Sequence, residues 1–327
     1  MSEVLLSVSY AVLPENGEDS FALGQDAHSA WMCVADGCGG LGSRRYPELE
    51  GRTGAYLASR LITRAFSERM QAGMQMPASP EEGERACHVL ESALHRTLAD
   101  FARKHLQEEK SRIVGSMQRR LPTTFCAAMI REGAAGWREN CFFWAGDSRG
   151  YVLDENGLHQ CTQDHLRGEG DAFETLYRDF PLSRLLCADQ PASISLRRMR
   201  APLPCVILTA TDGVFSSLPT PMEFEMLLLQ TLRYAGSFSS WQKRLQSQVK
   251  KLAQDDATLL LAPCGIEDFE GFKKLMALRR IALQKEYITP VRRRRGDTPF
   301  AREKWLAYQT DYDWTGGGRY ARMDWRV

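Results

Sequence analysis

Four aspartates in this sequence adjoin short apolar runs, where a carboxylate can take part in chemistry. Asp36 ends the run that begins at Ala30, Asp147 and Asp212 follow two later runs, and Asp255 precedes the last one. Three of the four also adjoin a glycine, which leaves side-chain and backbone oxygens available together. Such oxygens are the ligands that hard divalent cations prefer. One such pair is an ordinary turn, but its repetition predicts a cation site.

Strands and paired helices must bring these carboxylates together. The segment 4–12 is strand-like, and the turn after it ends in Glu18 and Asp19. Apolar residues at helical spacing predict long helices over 52–70, 80–107, 221–234 and 239–253. Short apolar or alternating runs predict strands over 30–35, 124–130, 141–145, 151–153, 158–162, 193–199, 205–210 and 258–262.

The order of these elements predicts the fold class. Strands and helices occur in separate runs, without the regular βαβ alternation of a parallel sheet, so an α+β fold is expected. Two packed antiparallel sheets, a β-sandwich, would be flanked by helix pairs. Asn156-Gly157 between two apolar runs is typical of a hairpin. The less regular segment 165–191 is predicted to be a surface excursion with one or two helical turns.

Five short motifs resemble those of the metal-dependent protein phosphatase 2C family of serine/threonine phosphatases. They are Ala35-Asp36-Gly37-Cys38-Gly39-Gly40, Thr123-Thr124, Gly146-Asp147-Ser148-Arg149, Thr211-Asp212-Gly213 and Asp255-Asp256-Ala257-Thr258. The resemblance covers residues 4–263. It implies the same sandwich with two Mn²⁺ or Mg²⁺ ions at one end, and an enzyme that hydrolyses phosphoserine and phosphothreonine in proteins.

The resemblance also implies roles for single residues. Asp36 would bridge both ions and the carbonyl of Gly37 would bind one of them, while Asp212 and Asp255 would hold the other. Glu18 would reach that ion through a water. A water that bridges two cations is acidified and becomes a nucleophile at neutral pH, and the same cations offset charge on the phosphoryl oxygens. No side-chain nucleophile is then required.

The sequence departs from the family pattern where the substrate phosphate is usually held. An arginine commonly stands four residues before the glutamate of the first motif, and here that residue is Pro14. Arg44, Arg45 and Arg149 are the candidates for a replacement, because a guanidinium needs only the right fork within reach of the phosphate.

Other departures leave a second function open. Asp147 matches a family position that is associated with a third, weaker metal, but Ser216 stands where a further aspartate is common. Cys38 stands where some members have a histidine that acts as a general acid, so water would have to protonate the leaving group. With Pro14, these departures allow a catalytically weak or inactive module that binds a phosphoprotein or a partner kinase.

A competing motif overlaps the first aspartate. Residues 37–42 satisfy the GxGxxG pattern after a strand, which is typical of dinucleotide binding. Asp36 directly before it would repel a pyrophosphate, and the repeated βα units of a dinucleotide-binding sheet are missing. The glycines are therefore interpreted as part of the cation site.

Composition excludes few classes of function. Lys plus Arg number 42 and Asp plus Glu 41, so net charge does not indicate nucleic acid. No apolar run approaches the ~18 residues that span a bilayer, and a soluble, cytoplasmic protein with no membrane partner is expected. Nine cysteines without a CxxC pair, mostly in apolar runs, are interpreted as reduced thiols of the core.

The sequence divides into a catalytic domain over 1–264 and a basic, aromatic-rich extension over 265–327. From residue 266 onward there are 14 Lys and Arg against 9 Asp and Glu, and six Trp or Tyr residues follow the run 292–295 of four arginines. An amphipathic helix begins the extension, at Phe269. Three roles stay open: packing against the catalytic domain, docking of a phosphoprotein substrate or a cognate kinase, and, less favoured, nucleic-acid binding.

Overall fold

The structure of the chain, a computed structural model, describes residues 4–26, 29–106, 119–313 and 325–327. Its strands are β1 Leu6–Tyr10, β2 Ser20–Gln25, β3 Ser29–Ala35, β4 Arg45–Tyr46, β5 Arg52–Thr53, β6 Phe125–Glu132, β7 Trp137–Ala145, β8 Arg149–Asp154, β9 Gly157–Gln160, β10 Ser195–Pro202, β11 Cys205–Ala210, β12 Ala257–Cys264 and β13 Trp325–Arg326. Its helices are α1 Gly54–Gln71, α2 Pro80–His105, α3 Pro221–Arg233, α4 Phe238–Leu252, α5 Phe269–Leu283, α6 Thr289–Arg293 and α7 Thr298–Tyr312.

The strands form two antiparallel sheets that face each other. One sheet has the order β1-β12-β11-β8-β9 and the other β13-β10-β7-β6-β3-β2, with β4 and β5 as a separate small hairpin. The predicted α+β sandwich with flanking helices is confirmed. The segment 165–191 contains only one short 3-10 turn, Glu174–Leu176, which agrees with the predicted surface excursion.

The central strands, such as β3, β11 and β12, have two buried faces, which explains their unbroken apolar runs. In β3 the side chains of Met32 and Val34 pack between the two sheets, whereas Trp31 and Cys33 pack outward against α1 and α2. The other sheet is covered on its outer face by α3, α4 and the C-terminal helices. A strand that is covered on both faces reads as continuous apolar sequence instead of an alternating pattern.

One strand is longer than predicted because its polar residues are buried. The prediction placed it at 141–145, but β7 begins at Trp137 and includes Arg138, Glu139 and Asn140. The Glu139 carboxylate forms ion pairs with Arg131 of the neighbouring β6 and with Arg198 of β10. Pairing between strands satisfies polar groups that a hydropathy pattern assigns to a loop.

The described part of the extension is packed into the same core as residues 4–263, which we call the family-like region. Trp305 and Tyr308 of α7, with Phe272 of α5, are buried in one cluster with α3. The carboxylate of Glu225 on α3 is completely buried and accepts two hydrogen bonds from Arg279 and one from the Tyr308 hydroxyl. Two aromatic residues of the extension, Trp314 and Tyr320, lie outside the described residues. So does Gln107, the last residue of the helix predicted over 80–107.

Candidate active site

The strand order gathers the predicted carboxylates at one end of the sandwich. β3 and β7 both pair antiparallel with β6, so they run in the same direction. β11 and β12 are antiparallel, so the end of one adjoins the start of the other. Asp36, Asp147 and Asp212 follow the ends of β3, β7 and β11, and Asp255 precedes β12.

Two threonines fix the backbone of Asp36. Thr123 Oγ1 donates to the Asp36 carbonyl oxygen at 2.7 Å, and the backbone N–H of Thr124 donates to the same oxygen at 2.8 Å. Thr124 Oγ1 accepts from the Asp36 N–H at 3.3 Å and lies 2.7 Å from Ser148 Oγ in the loop of Asp147. The Thr123-Thr124 motif therefore positions the aspartate and links two of the carboxylate loops.

Glycine is required at two of these turns because backbone segments meet there. A Cβ on Gly37 would collide with the carbonyl oxygen of Ala55 in α1, and a Cβ on Gly213 would collide with that of Asp256. The Gly37 N–H also donates to the Glu18 carbonyl at 3.3 Å. These close approaches hold the turns that carry Asp36 and Asp212 in fixed places.

Asp36 and Asp212 lie close enough for each to shift the pKa of the other. Burial, and after it the charges of Asp212, Asp19, Asp147 and Asp255, raises the pKa of Asp36 well above its ordinary value. Burial and the charge of Asp255 likewise raise the pKa of Asp212. In the absence of a cation, both groups therefore bind protons more readily than exposed aspartates do.

Asp147 belongs to the same electrostatic cluster. Its half-buried side chain has a pKa raised to about 8, chiefly by burial and then by the charges of Asp212 and Asp164. The Arg149 guanidinium lowers it in part. The cluster thus holds several acids in a poorly solvated place, which is costly unless protons or cations compensate their charge.

The loop before β12 joins the site to the N-terminal turn. Asp255 is exposed, and its Oδ1 accepts from the N–H of Asp256 at 2.7 Å. The carboxylate of Asp256 accepts from the N–H groups of Val12, at 2.8 Å, and Glu18, at 2.5 Å. The acid beside the predicted ligand is therefore a structural clamp on the loop that carries Glu18.

Asp19 is a site residue to which the sequence pattern assigned no role. It is 9% exposed, its Oδ2 accepts from Thr211 Oγ1 at 2.8 Å, and its Oδ1 has no hydrogen-bond partner among the residues that the structure describes. Burial raises its pKa to about 7, with the charges of Asp212 and Asp256 adding to the shift. The available signal was its position directly after Glu18, at the start of β2 beside the end of β3.

Glu18 lies at the rim of the same cluster. Thr53 Oγ1 donates to its Oε1 at 2.5 Å. Burial raises the pKa of Glu18, the Thr53 hydrogen bond lowers it, and the charges of Asp256 and Asp255 raise it again. A cleft of about 240 Å³ opens here, and Glu18, Thr53 and Asp255 are among its lining residues.

The donor set fits a divalent cation in its chemistry. Carboxylates crowd one end of the sandwich, Asp36 and Asp212 affect each other's pKa, and one buried oxygen of Asp19 has no hydrogen-bond partner in the described part of the chain. A cation would neutralise the repulsion that now raises their pKa values. Within the described residues, no group of three or more His, Cys, Asp or Glu side chains is arranged to hold an ion directly. A cation held here would need backbone oxygens, water or side-chain adjustment to complete its ligands.

A comparison with protein families decides to which of them this fold belongs. The family model described as protein phosphatase 2C matches residues 14–252, well over half of the chain. The chain belongs to the protein phosphatase 2C family. The matched region contains Asp36, Asp147 and Asp212, and Asp255 lies just beyond its end. No curated protein matches the chain.

Solved bacterial members of the protein phosphatase 2C fold superpose on most of the chain. Stp1, a serine/threonine phosphatase from Staphylococcus aureus, aligns with a TM-score of 0.59 at 15% identity, over 80% of this chain and 95% of that one. PstP/Ppp, the Mycobacterium tuberculosis serine/threonine phosphatase, gives 0.53 at 16% identity, over 80% and 99%. PppA of Pseudomonas aeruginosa, a key regulatory component of T6SS, gives 0.53 at 15% identity, over 80% and 98%. At these identities the likeness shows the fold.

Of the three arginines predicted for phosphate binding in this protein phosphatase 2C chain, Arg149 is already engaged. Its guanidinium is almost fully buried, forms a two-pronged ion pair with Asp164 and donates to Thr175 Oγ1 at 3.0 Å. It also lies over the ring of Phe215. Its positive charge lowers the pKa of Asp212. Because its guanidinium is buried and already bound to Asp164 and Thr175, we leave Arg149 out of the proposed phosphate site.

Arg44 and Arg45 lie in different surroundings. Arg45 is exposed, lines the cleft, and lowers the pKa of Glu18 through its charge. Its Nη1 donates to the Gly51 carbonyl at 3.0 Å. Arg44 instead lies 5.3 Å from the ring of Tyr46. Arg45 is thus the candidate that faces the cleft.

The loop at Pro14, where the family commonly has arginine, is held by other cations. Arg52 donates through Nη1 to the carbonyl of Glu15 and to Asn16 Oδ1. Arg60 of α1 donates through Nη2 to the Gly17 carbonyl at 2.9 Å. These guanidinium groups bind backbone and amide oxygens of the loop, so positive charge surrounds the position of Pro14 without a side chain from it.

Removing metal should make the stability of this protein phosphatase 2C chain fall as pH rises. The folded-state pKa values of Asp19 and Asp147 are raised to about 7 and about 8, whereas an unfolded chain releases these protons near pH 4. The folded state therefore holds more protons between about pH 4 and 8, and this contribution to stability is lost across that window. In EDTA, the free energy of unfolding measured with urea should fall by about 2 kcal/mol or more as pH rises across this window.

The variant that tests this pH dependence is Asp19→Asn, because it removes one of the two titrating groups. Its metal-free stability should depend less steeply on pH than that of the wild type. Saturating Mn²⁺ should stabilise the wild type more at pH 8 than at pH 5, because the cation replaces protons. A metal-free stability that rises between pH 5 and 8 would contradict the raised pKa values.

Proposed function

We propose that this chain hydrolyses phosphoserine and phosphothreonine in protein substrates, in a reaction that depends on Mn²⁺ or Mg²⁺. The observation that carries the proposal is the gathering of Asp36, Asp212 and further acids at one end of a protein phosphatase 2C sandwich. Such crowding opposes folding and is retained where a cation is bound. Family membership supports the phosphatase activity itself.

Each residue of the site has a proposed task. Asp36, Asp212 and Asp255 would hold the cations with the Gly37 carbonyl, Glu18 would act through water, and Asp147 would contribute to a third position. When bound, the cations would acidify a water and offset charge on the phosphoryl oxygens. Asp19, hydrogen-bonded by Thr211, would orient water at the rear of the site.

The proton of the leaving serine or threonine alkoxide would come from water. Burial, and then the charges of Asp36, Asp147 and Asp212, raises the pKa of the Cys38 thiol well above its ordinary value. A thiol with such a high pKa is a poor acid near neutral pH. The cysteine in the first motif is therefore interpreted as a neutral neighbour of the site.

Arg45 would supply the grip on the substrate phosphate. It lines the cleft together with Glu18 and Asp255. The described hydrogen bond of its guanidinium group uses Nη1, so the other nitrogens can donate to a phosphate. We expect Arg45→Ala to raise KM for p-nitrophenyl phosphate about ten-fold, the loss of one charged hydrogen bond. Arg44→Ala, beside it in sequence but against Tyr46, should change KM about two-fold or less. Equal effects of the two substitutions would remove Arg45 from the site.

The proposed function is tested with metal-free protein. p-Nitrophenyl phosphate, a phosphothreonine peptide and a phosphotyrosine peptide of the same sequence are incubated with and without Mn²⁺. The expected result is turnover of the first two substrates that requires Mn²⁺ and stops on addition of EDTA. Absence of turnover would leave a module that only binds phosphoproteins, and turnover without metal would contradict the proposed chemistry.

A further inference from the structure

A large groove lies between the family-like region and the C-terminal helices. It has a volume of about 1060 Å³, and its walls come from α3, α4 and the segment 291–301. The buried side chains of Leu218, Met226 and Ala301 contribute to its apolar floor. Exposed cations line its rim, at Arg244, Lys251, Arg292, Arg294 and Arg295. We call it the basic groove.

The positive charge of the basic groove is mostly uncompensated. Two acids line it, and Glu223 is already paired through two hydrogen bonds with Arg292. The other, Asp297, caps α7 by accepting from the N–H of Phe300. In the part of the chain that the structure describes, Lys251 and Arg295 form no ion pair. Cations over an apolar floor provide a surface for an acidic chain that also carries apolar side chains.

The basic groove continues into the candidate active site. A smaller depression shares Tyr177, Leu218 and Pro219 with the groove, and it reaches Gln254 and Asp255. Gln254 and Asp255 also line the cleft beside Glu18. The ridge between groove and depression is fixed by the Tyr177 hydroxyl, which donates to the Pro219 carbonyl at 2.8 Å. An extended chain could therefore lie across all three surfaces.

One wall of the groove is built by residues outside the matched family region. The family match ends at 252, whereas the wall with Arg294 and Arg295 lies in the C-terminal extension. This extension is fixed on α3 by the buried contact of Glu225 with Arg279 and Tyr308. The groove is thus a property of this chain, and it is held in place by a packed core.

We propose that the basic groove binds an acidic stretch of the phosphoprotein substrate, on one side of the phosphorylated residue, while that residue occupies the cleft. This inference rests on the proposed phosphatase function. Charge complementarity selects an acidic segment, and continuity with Asp255 selects a segment of the substrate itself over an unrelated ligand. Substrates with acidic flanks would be bound more tightly than substrates with neutral or basic flanks.

The test compares two double variants with the same change of charge. Lys251→Glu/Arg295→Glu reverses two cations that line the groove. Lys250→Glu/Arg293→Glu reverses their sequence neighbours, which are exposed but do not line it. The substrates are phosphothreonine peptides with an acidic block on either side, matched peptides with neutral blocks, and p-nitrophenyl phosphate.

For the acidic peptide, the ratio of its kcat/KM to that of p-nitrophenyl phosphate should fall about ten-fold in the groove variant, mainly through KM. The neighbour variant and the neutral peptide should show about two-fold changes or less. Raising the salt concentration should weaken binding of the acidic peptide to the wild type. Equal losses in the two variants, or no preference of the wild type for acidic flanks, would overturn the proposal.

Binding measured without turnover separates this proposal from the phosphatase assignment. Fluorescence anisotropy in EDTA gives Kd for a labelled acidic phosphothreonine peptide, and it should rise about ten-fold in the groove variant alone even if no phosphate is released. A labelled single-stranded RNA is the comparison ligand. If RNA binds more tightly than the peptide and loses affinity in the groove variant, the surface is a nucleic-acid site and the peptide proposal is wrong.

Discussion

Replacing Trp305 with alanine should lower the free energy of unfolding by about 3–5 kcal/mol, the usual cost of removing a large buried aromatic side chain. The indole is fully buried and lies against Phe173, Tyr308 and Tyr312. Its Nε1 donates to Asp171 at 2.9 Å. The substitution therefore leaves a cavity and also removes a hydrogen bond from a partly buried carboxylate.

The control for this variant is on the same helix. Leu306 is 53% exposed, and Leu306→Ala should change stability by about 0.5 kcal/mol or less. Urea midpoints of the two variants, measured with the slope of the transition, decide the comparison. Similar midpoints would mean that α7 is not part of the cooperative core, and the basic groove would then lack a fixed wall.

Asp212→Asn and Asp36→Asn should each lower kcat/KM for a phosphothreonine peptide by about 10³-fold or more. In the proposed site, loss of a carboxylate would weaken binding of a cation that would lower the energy of the transition state by several kcal/mol. Asp179→Asn, the same chemical change on an exposed aspartate of the surface excursion, should leave kcat/KM nearly unchanged. Steady-state kinetics at saturating Mn²⁺ measure all three.

Stability distinguishes loss of activity from loss of the fold in these variants. Burial and neighbouring acids raise the pKa values of Asp36 and Asp212, so both carboxylates are under repulsion without metal. Metal-free Asp36→Asn should therefore be at least as stable as the wild type near pH 8. An inactive variant that is also strongly destabilised would show that the carboxylate supports the fold instead of the reaction.

The fold was predictable because the apolar runs indicate which segments are buried strands and helices, and their order along the chain indicates the fold class. Helices α1 and α2 follow their 3.6-residue pattern, and α1 begins where Thr53 caps it. The start of β7 was missed because Glu139 is buried by ion pairs across strands, which no local pattern reveals. The helix α7 was missed since its aromatic residues pack on several sides and leave a weak amphipathic signal.

The site was predictable in its strand-end aspartates and less so in its surroundings. Asp19 was noted only as the end of a turn, because its role depends on Thr211, which is distant in sequence. Arg149 looked like a phosphate ligand from its motif, but its burial against Asp164 appears only when β8 is folded. Whether a charged side chain faces the cleft or an internal partner is decided by tertiary packing, which residue spacing does not contain.

We propose that the carboxylates at this end of the sandwich hold the catalytic cations. This proposal is tested most directly by calorimetric titration of Mn²⁺ into metal-free wild type and metal-free Asp36→Asn at pH 8. The wild type should bind two ions, and Asp36→Asn should bind them at least about ten-fold more weakly. No binding to the wild type, or equal binding by both proteins, would contradict the proposal.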